Sequence, residues 1–295
     1  MRVVGVIGLG RMGLPLARNL LDSGFSVCGY RRSGSPELAA AGGVDARSAA
    51  EVAEASDVLV SILPDEHALA SVVLGASGTL TALRPGTVHI EMSTIDVAAK
   101  SRVRTAVVEA GGDMLDAPIS GSPGMVAPRL ATTFASGPAD SVQRVRPVLE
   151  ALSGPVVYAG DFGAGAHLKY ISCLLMAIHT AAAAEAIVLA RRSGLDLDLV
   201  QQTLDNSIAG SALLKQRGPV MRSRTWTPAP GPVSMLHPIL EQVSAYADSL
   251  GLSTSVFAAA KAIFDHAVAD GCGELDIAAV HDTVDARSAD QAARA

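Results

Sequence analysis

The sequence contains few cysteines and no arrangement of residues that is typical of a metal centre. Its three cysteines, Cys28, Cys173 and Cys272, are widely spaced and form no CxxC pair. This excludes a disulfide framework and a zinc finger, and it indicates buried, reduced thiols in a cytoplasmic protein. His89 and Glu91 could share one face of a strand, but two ligands do not make a metal site, so we expect no metal.

Basic runs and uninterrupted apolar runs are also missing. No Lys/Arg-rich run exceeds a pair and the formal net charge is -6, which argues against nucleic acid as a partner. The first residues lead directly into a strand-like run without the pattern of a signal peptide. The most apolar stretch, 170–190, is interrupted by His179 and Glu185, so it predicts a buried or interface helix and no membrane partner.

Strand-like and helix-like segments alternate in the first half of the chain. The strand-like segments are 2–8, 25–30, 57–63, 87–91, 114–117, 131–136 and 156–159. The helix-like segments between the early strands are 12–22, 48–55, 66–73 and 95–110. This alternation predicts βαβ units, with a largely parallel sheet covered by helices on both faces.

The strand signal disappears after about residue 163. Segment 164–192 can be read as one helix of roughly 43 Å, at 1.5 Å per residue. Further helical segments are predicted at 196–206, 235–250, 254–269 and 276–284, whereas the proline-rich segment 227–232 must be a loop. We therefore predict an α/β Rossmann-type domain at 1–163, joined by a long interdomain helix to an all-α domain at 164–295.

A glycine-rich motif directly follows the first predicted strand and opens the first predicted helix. It fits GxGxxG and consists of Gly8, Leu9, Gly10, Arg11, Met12 and Gly13. In this setting the first glycine permits a tight turn, the second lets a pyrophosphate approach the backbone, and the third lets helix and strand pack closely. The helix N-terminus offers free amides and a positive dipole end to phosphates. Together these features predict a dinucleotide-binding site.

The end of the second predicted strand bears on which dinucleotide binds. An NAD site usually places a carboxylate there, which binds the ribose 2′-hydroxyl. Here the strand ends in Tyr30, Arg31, Arg32 and Ser33, with no carboxylate. Two guanidinium groups and a hydroxyl suit a 2′-phosphate, so we expect NADP(H) rather than NAD(H). The alternative is that both arginines are solvated surface residues.

Three further stretches complete a pattern that resembles the β-hydroxyacid dehydrogenases, the relatives of 3-hydroxyisobutyrate dehydrogenase. These stretches are EMSTID at 91–96, DAPISGS at 116–122 and GAGAHLK at 163–169. The resemblance covers residues 3 to about 285. It implies a Rossmann domain, a long interdomain helix and a helical C-terminal domain, assembled as homodimers or homotetramers. It also implies reversible hydride transfer between a nicotinamide and the alcohol carbon of a short β-hydroxy acid.

The resemblance also implies roles for individual residues. The substrate carboxylate would be bound by Ser120, Gly121 and Ser122. Thr94 would lie beside the nicotinamide, and the cofactor cleft would be lined by Leu63 and Pro64. Lys169 matches the catalytic lysine of the family's GxGxxxK motif.

Carbonyl reduction itself gives a reason for a lysine at this place. As hydride reaches a carbonyl carbon, negative charge builds on the oxygen, and a nearby donor stabilises that charge and supplies the proton. We therefore expect Lys169 to be the general acid/base. The alternative is that its stem is buried while its ammonium reaches solvent.

The sequence departs from the family pattern at three expected site positions, one of which is Ser122, in place of the usual second glycine of SGG. Ser172 stands where the family usually has asparagine; a serine still donates a hydrogen bond, although its reach is shorter. His237 stands where the family usually has lysine. It could serve as a titratable donor to the substrate or simply pack near a helix start. We expect a substrate pocket that differs from that of the family.

Two alternatives to the leading prediction follow from the same residues. One is C=N reduction, as in the imine reductases that resemble this family; those generally lack the catalytic lysine, so Lys169 counts against it. Another is a non-catalytic NADP(H)-binding module, which the changes at Ser172 and His237 favour and Lys169 disfavours. Our leading prediction is a dehydrogenase or reductase for a small, carboxylate-bearing substrate. The apolar long helix further predicts an interface between copies of the chain.

Overall fold

The chain divides into two compact units, Met1–Lys169 and Tyr170–Ala295, called here the first and second units. The structure, a computed structural model, describes the backbone of residues 3–294 and the side chains of residues 3–287. The division lies within the long helix, slightly after the domain limit predicted from the sequence. Each unit is described below by itself.

The first unit contains a nine-stranded sheet and helices that connect its strands, within the described residues. The strands are β1 (Val3–Ile7), β2 (Ser26–Tyr30), β3 (Val44–Asp45), β4 (Val58–Ser61), β5 (Val88–Glu91), β6 (Asp113–Asp116), β7 (Ile119–Ser120), β8 (Thr132–Ser136) and β9 (Val156–Gly160). The helices are α1 (Gly13–Asp22), α2 (Pro36–Ala40), α3 (Ala49–Ala55), α4 (Glu66–Leu74), α5 (Val97–Glu109), α6 (Pro123–Val126) and α7 (Ala139–Ser153), with a 3-10 turn at Thr79–Ala82.

The strand order is β3-β2-β1-β4-β5-β6-β8-β7, and β9, which lies outside this path, pairs with β8. Strands β1 to β6 are mutually parallel, whereas β8 runs antiparallel to β6 and β7. The order of the first six strands is that of a doubly wound sheet, in which the direction of winding reverses between β1 and β4. Ligands of such sheets bind outside the carboxyl ends of the strands at this reversal.

Both faces of the sheet are covered, because successive side chains of a strand point to opposite faces. Val4 and Val6 of β1 pack in one core cluster with Leu16 of α1 and Leu149 of α7. Ile7 belongs to a second cluster, formed with residues of α3 and β4. This double burial explains why the central strands read as nearly continuous apolar runs.

The second unit is helical. Helix α8 (Ala164–Arg192) begins in the first unit and contributes most of its 29 residues to the second. The other helices are α9 (Leu197–Asp205), α10 (Ala212–Ser223), α11 (Val233–Ser249), α12 (Ser255–Ala269) and α13 (Val280–Arg294), with a 3-10 turn at Ile277–Ala279. The predicted fold class, a Rossmann-type α/β domain followed by an all-α domain with a long connecting helix, is confirmed.

Helix α8 is long and apolar enough to cross a membrane by length and composition, with a window of mean hydropathy 1.9. Half of that window is buried within the protein, and a core helix of a soluble protein passes the same test. The absence of a membrane partner therefore stays a prediction.

None of the three cysteines forms a disulfide within the described residues, but only two of them are buried. Cys28 and Cys173 are buried, whereas Cys272 is half-exposed, because it lies in the turn after α12 rather than inside a helix. The prediction of three buried thiols was wrong at this position.

Candidate active site

The glycine-rich loop connects β1 to α1 and has the geometry of a pyrophosphate cradle. Gly8 has a φ of +97°, and a Cβ at this position would lie 2.1 Å from the carbonyl oxygen of Ile62. A Cβ at Gly13 would lie 1.9 Å from the carbonyl oxygen of Gly8. A Cβ at Gly10, by contrast, would meet no atom within 4 Å. There is thus no room for a side chain at Gly8 and Gly13, where the loop packs against the protein, whereas Gly10 leaves space for a ligand to approach the backbone.

The start of α1 is also suited to an anion. Its N-cap residue, Met12, makes no side-chain capping bond, so the positive end of the helix dipole is available to phosphate groups. Leu9 lies in the loop with its side chain fully buried in the core, and Arg11 is exposed. The residues present therefore fit a dinucleotide, which they would contact largely through the backbone.

The two arginines after β2 lie in different environments. Arg31 is held inside the unit: its Nε donates to the carbonyl oxygen of Gly34 at 2.8 Å, and its Nη1 donates to that of Leu9 at 3.1 Å. Its Nη2 lies 3.4 Å from a carboxylate oxygen of Glu37. Arg32 and Ser33 are exposed. Arg31 thus braces the glycine-rich loop, whereas Arg32 is available to a ligand.

The loops after β4 and β5 lie side by side at the carboxyl edge of the sheet. The backbone N–H of Leu63 donates to the Oγ of Ser93 at 2.7 Å, which joins the two loops. Pro64 is exposed and Thr94 is half-buried. The residues expected to line the cofactor cleft therefore come from two adjacent loops, beside the point where the winding of the sheet reverses.

Beneath these loops lies a group of charged side chains that the sequence interpretation missed. Glu91, Lys100 and Asp116 are each fully buried. The Nζ of Lys100 lies 2.7 Å from Oδ1 of Asp116 and 3.9 Å from Oε1 of Glu91, and it also donates to the carbonyl oxygen of Ser93. Burial raises the pKa of the Glu91 carboxyl, although Lys100 and hydrogen bonds from Ser61 and Ser93 act in the opposite direction.

A neutral histidine completes this group. Nε2 of His89 lies 2.8 Å from Oγ of Ser61, and the Ser61 hydroxyl donates to Glu91. Since Ser61 uses its proton for Glu91, the hydrogen-bond network assigns the His89 proton to Nε2. Burial lowers the pKa of His89 to about 4, so the ring is neutral near pH 7.

Asp116 also reaches the beginning of α8. Its Oδ2 accepts a hydrogen bond from the backbone N–H of Ala166 at 2.8 Å and one from the hydroxyl of Ser136 at 3.1 Å. The Ser136 Oγ in turn accepts from the N–H of Gly165 at 3.0 Å. A Cβ at Gly165 would lie 2.2 Å from the carbonyl oxygen of Phe134, so only glycine lets α8 approach the sheet this closely. This contact explains why the GxGxxxK motif requires its second glycine.

Lys169 lies one helical turn beyond this anchored start. Its side chain is buried, with 6% of the residue exposed. No hydrogen bond or ion pair joins its ammonium group to any residue that the structure describes. Because the side chain is buried while its amine bonds to no described residue, Lys169 is a candidate for binding a substrate oxygen.

The expected substrate loop, Ser120 to Ser122, lies at the end of the short strand β7. Ile119 and Ser120 pair antiparallel with Thr133 and Thr132 of β8, which places the loop four to six residues after Asp116. All three loop residues are half-buried. The role of this loop stays a prediction.

Two expected site residues belong to the second unit. Ser172 follows Lys169 by three positions along α8. His237 lies in α11, where its Nε2 is 2.8 Å from Oδ1 of Asp265. Lys261 bridges Asp265 and Glu241 in the same cluster. The roles of Ser172 and His237 towards a substrate stay predictions.

Two protein-family models together match nearly the whole chain. Residues 3–160 match the NAD binding domain of 6-phosphogluconate dehydrogenase, and residues 163–284 match the NAD-binding domain of NADP-dependent 3-hydroxyisobutyrate dehydrogenase. The chain belongs to the β-hydroxyacid dehydrogenase family. As a member of this family it is an NAD(P)-binding oxidoreductase. Members of the family transfer hydride between the nicotinamide and hydroxy acids.

Individual members of the β-hydroxyacid dehydrogenase family are similar over most of their length. The L-threonate dehydrogenase of Cupriavidus necator is 36% identical over 230 residues, which are 77% of each chain. The glyoxylate/succinic semialdehyde reductase 1 of Arabidopsis thaliana is 31% identical over 283 residues, 95% of this chain and 98% of the relative. A crystal structure of 3-hydroxyisobutyrate dehydrogenase from Salmonella typhimurium superposes with a TM-score of 0.85 at 31% identity, covering 96% of this chain and 99% of the other.

Proposed function

We propose that this protein is an NADP(H)-dependent oxidoreductase that interconverts a small β-hydroxy acid and the corresponding carbonyl acid, with Lys169 as general acid/base. The observation that carries the proposal is the placement of Lys169: its side chain is buried, and it lies one turn after a helix start that is anchored to the cofactor-binding sheet. The names of the relatives support a carboxylate-bearing substrate, because threonate, glyoxylate, succinic semialdehyde and 3-hydroxyisobutyrate all contain a carboxylate.

The chemistry assigned to the chain is proton transfer and orientation. When bound, NADPH supplies the hydride to the carbonyl carbon of the substrate. The ammonium of Lys169 donates a proton from Nζ to the carbonyl oxygen, where negative charge builds. In the oxidative direction the neutral amine accepts the proton of the hydroxyl group. Ser120 and Ser122 bind the substrate carboxylate with their hydroxyls, and Ser172 donates a further hydrogen bond.

We propose that NADP(H) is preferred because of Arg32 and Ser33. Both are exposed after β2, where a guanidinium and a hydroxyl can bind a 2′-phosphate. Arg31 has a supporting role in this proposal, since its guanidinium is already bound to Leu9, Gly34 and Glu37.

Replacing Arg32 tests the cofactor preference. Because hydrogen bonds to charged groups contribute about 1.5–3 kcal/mol, Arg32→Ala should raise the Kd of NADPH roughly tenfold to a hundredfold. The Kd of NADH should stay unchanged. Arg47→Ala is the matched control, since Arg47 is an arginine of the same unit whose side chain is 90% exposed. Equal weakening of both cofactors by Arg32→Ala would contradict the proposal.

A substrate panel tests the reaction type. The absorbance of NADPH is followed with aldehyde acids, keto acids and cyclic imines, each with and without purified enzyme. We expect turnover of at least one carbonyl acid and none of the imines. Turnover of imines alone would favour C=N reduction, and NADPH binding without turnover of any compound would favour a non-catalytic module.

We also propose that α8 forms an interface between copies of the chain. Ile171, Leu175 and Leu189 along this helix are 53%, 46% and 69% exposed, which is unusual for large apolar residues on a helix of this composition. Sedimentation velocity at micromolar concentration should show a dimer or tetramer. A monomer alone would contradict this expectation.

A further inference from the structure

The reaction proposed above uses Lys169 but leaves Lys100 without a role. Lys100 is a fully buried lysine on α5, and its ammonium sits between the ends of β5 and β6. A buried ion pair is weak support for stability, since apolar side chains of similar volume often serve as well. The position of this pair at the carboxyl edge of the sheet indicates that it orients neighbouring parts of the candidate site.

Lys100 connects two parts of the candidate site. Its Nζ donates to the carbonyl oxygen of Ser93 at 2.5 Å, and the Oγ of Ser93 accepts the N–H of Leu63. The same Nζ donates to Oδ1 of Asp116 at 2.7 Å. One ammonium group therefore holds the loop that precedes Thr94 and also the carboxylate that reaches α8.

Asp116, which Lys100 holds in place, is hydrogen-bonded to the start of the helix that carries Lys169. The Oδ2 of Asp116 accepts from the N–H of Ala166, and Ser136 links the same carboxylate to the N–H of Gly165. The first amides of a helix have no partner within the helix, so an anion here both satisfies them and fixes the direction of the axis. Gly165 and Ala166 precede Lys169 by four and three positions, which places all three on one face of α8.

We propose that Lys100 and Asp116 are positioning residues that orient the first turn of α8 and hold the Nζ of Lys169 in place for proton transfer. This inference rests on the proposed catalytic role of Lys169. Neither residue touches the substrate. A displacement of about 1 Å at a reacting group is enough to slow a reaction about a hundredfold, so a small rotation of α8 is measurable as lost turnover.

Ser136→Ala is the variant that tests this inference with the least disturbance. It removes the hydroxyl between Asp116 and Gly165 and leaves the Lys100–Asp116 ion pair intact. The matched control is Ser153→Ala, a fully buried serine of the same unit whose hydroxyl bonds to Thr133 at 2.6 Å and is not bonded to α8. We expect Ser136→Ala to lower kcat about tenfold with unchanged Kd for NADPH, while Ser153→Ala keeps kcat at comparable thermal stability. Equal kcat in both variants would overturn the inference.

A double-mutant cycle separates positioning from general damage. In the Lys169→Ala background the catalytic amine is gone, so adding Ser136→Ala should not slow the residual single-turnover oxidation of NADPH any further. Multiplicative losses in the two variants would overturn the inference. The proposed function fails separately, if Lys169→Ala alone turns over as fast as wild type.

Amide hydrogen exchange gives a readout that does not depend on activity. Ser136→Ala and Asp116→Asn should speed exchange in the first turn of α8, including residues 166–169, relative to Ser153→Ala. Unchanged protection of this turn in both variants would overturn the inference, because Asp116 would then not hold the helix start.

Discussion

Two lysine–carboxylate pairs, one in each unit, have similar geometry in opposite surroundings. Lys100 lies 2.7 Å from Asp116, and neither side chain is exposed. Lys261 lies 3.0 Å from Asp265, and the carboxylate side chain is 42% exposed. Each lysine has a second carboxylate nearby. The distances alone would assign both pairs the same strength. The comparison shows that the contribution of each pair to stability depends on its burial and on the other groups to which it is bonded.

The surroundings change both the energetics and the function of the pair. In the second unit, burial lowers the pKa of Lys261, but hydrogen bonds and attraction from Glu241 and Asp265 outweigh it, so that the net shift is upward. The carboxylates of Glu241 and Asp265 are 57% and 42% exposed there, and ion pairs with solvated partners contribute little. In the first unit water cannot replace the partner of Lys100, so loss of one member leaves an unpaired charge in the core. Only that pair is also bonded to the start of a helix.

The largest effect expected from this comparison concerns stability. Lys100→Met leaves the carboxylate of Asp116 buried without its cation, so it should lower the free energy of unfolding by about 3–5 kcal/mol. Urea unfolding followed by circular dichroism measures this loss. A loss below about 1 kcal/mol, the range of an exposed pair, would show that the buried pair behaves like a surface one.

The next effect is a pH dependence that comes from His89 beside the buried cluster. Its pKa is about 4 in the folded protein and 6.5 in the unfolded chain, so the unfolded state takes up a proton first as the pH falls. Stability is therefore complete above pH 6.5 and decreases by about 3 kcal/mol towards pH 4. His89→Gln, which retains a donor for Ser61, should lack this decrease. The difference between the two unfolding curves isolates His89, and parallel curves would contradict its burial in the neutral form.

The smallest effect is expected for the pair in the second unit. Lys261→Met should lower the free energy of unfolding by less than about 1 kcal/mol, because the pair is partly solvated. The difference from wild type should shrink further at high salt, since salt screens exposed charges. A large, salt-independent loss would remove the distinction between the two clusters.

The sequence was most informative where function requires a local motif. The GxGxxG loop was predicted because close backbone approach to a pyrophosphate requires glycines at a fixed spacing. Lys169 was singled out by its match to the family's GxGxxxK motif, and its role stays a prediction. Helix α8 was predicted with the limits that the structure has, since Gly163 and Gly194 flank an otherwise uninterrupted helical segment.

Four helices, α2, α6, α7 and α10, were not predicted from the sequence, and the two longer ones share a physical reason. Helices α7 and α10 contain Pro147 and Pro219, which argue against a helix when the sequence is read alone. Tertiary packing overrides that local preference: Val145 and Leu149 are fully buried on either side of the proline in α7. The short strands β3 and β7, two residues each, carry no readable periodicity.

The buried cluster could not be assembled from the sequence, because its members come from β5, α5, β6 and β8. One signal was present: Lys100 shares a helical face with Val103 and Val107, at i+3 and i+7, and both are buried. A charged residue in an apolar stripe predicts a buried charge. Its partner, Asp116, is identified only by the pairing of β5 with β6.

The most direct test of the account compares the reduction rates of NADPH-loaded enzyme with a carbonyl acid that it turns over. Lys169→Ala is compared with Lys215→Ala, an exposed lysine of the chain, and with wild type. We predict that Lys169→Ala slows the reaction about a hundredfold to ten-thousandfold while NADPH binds as in wild type, and that Lys215→Ala reacts at the wild-type rate. Reduction by Lys169→Ala at the wild-type rate would contradict the role of this amine.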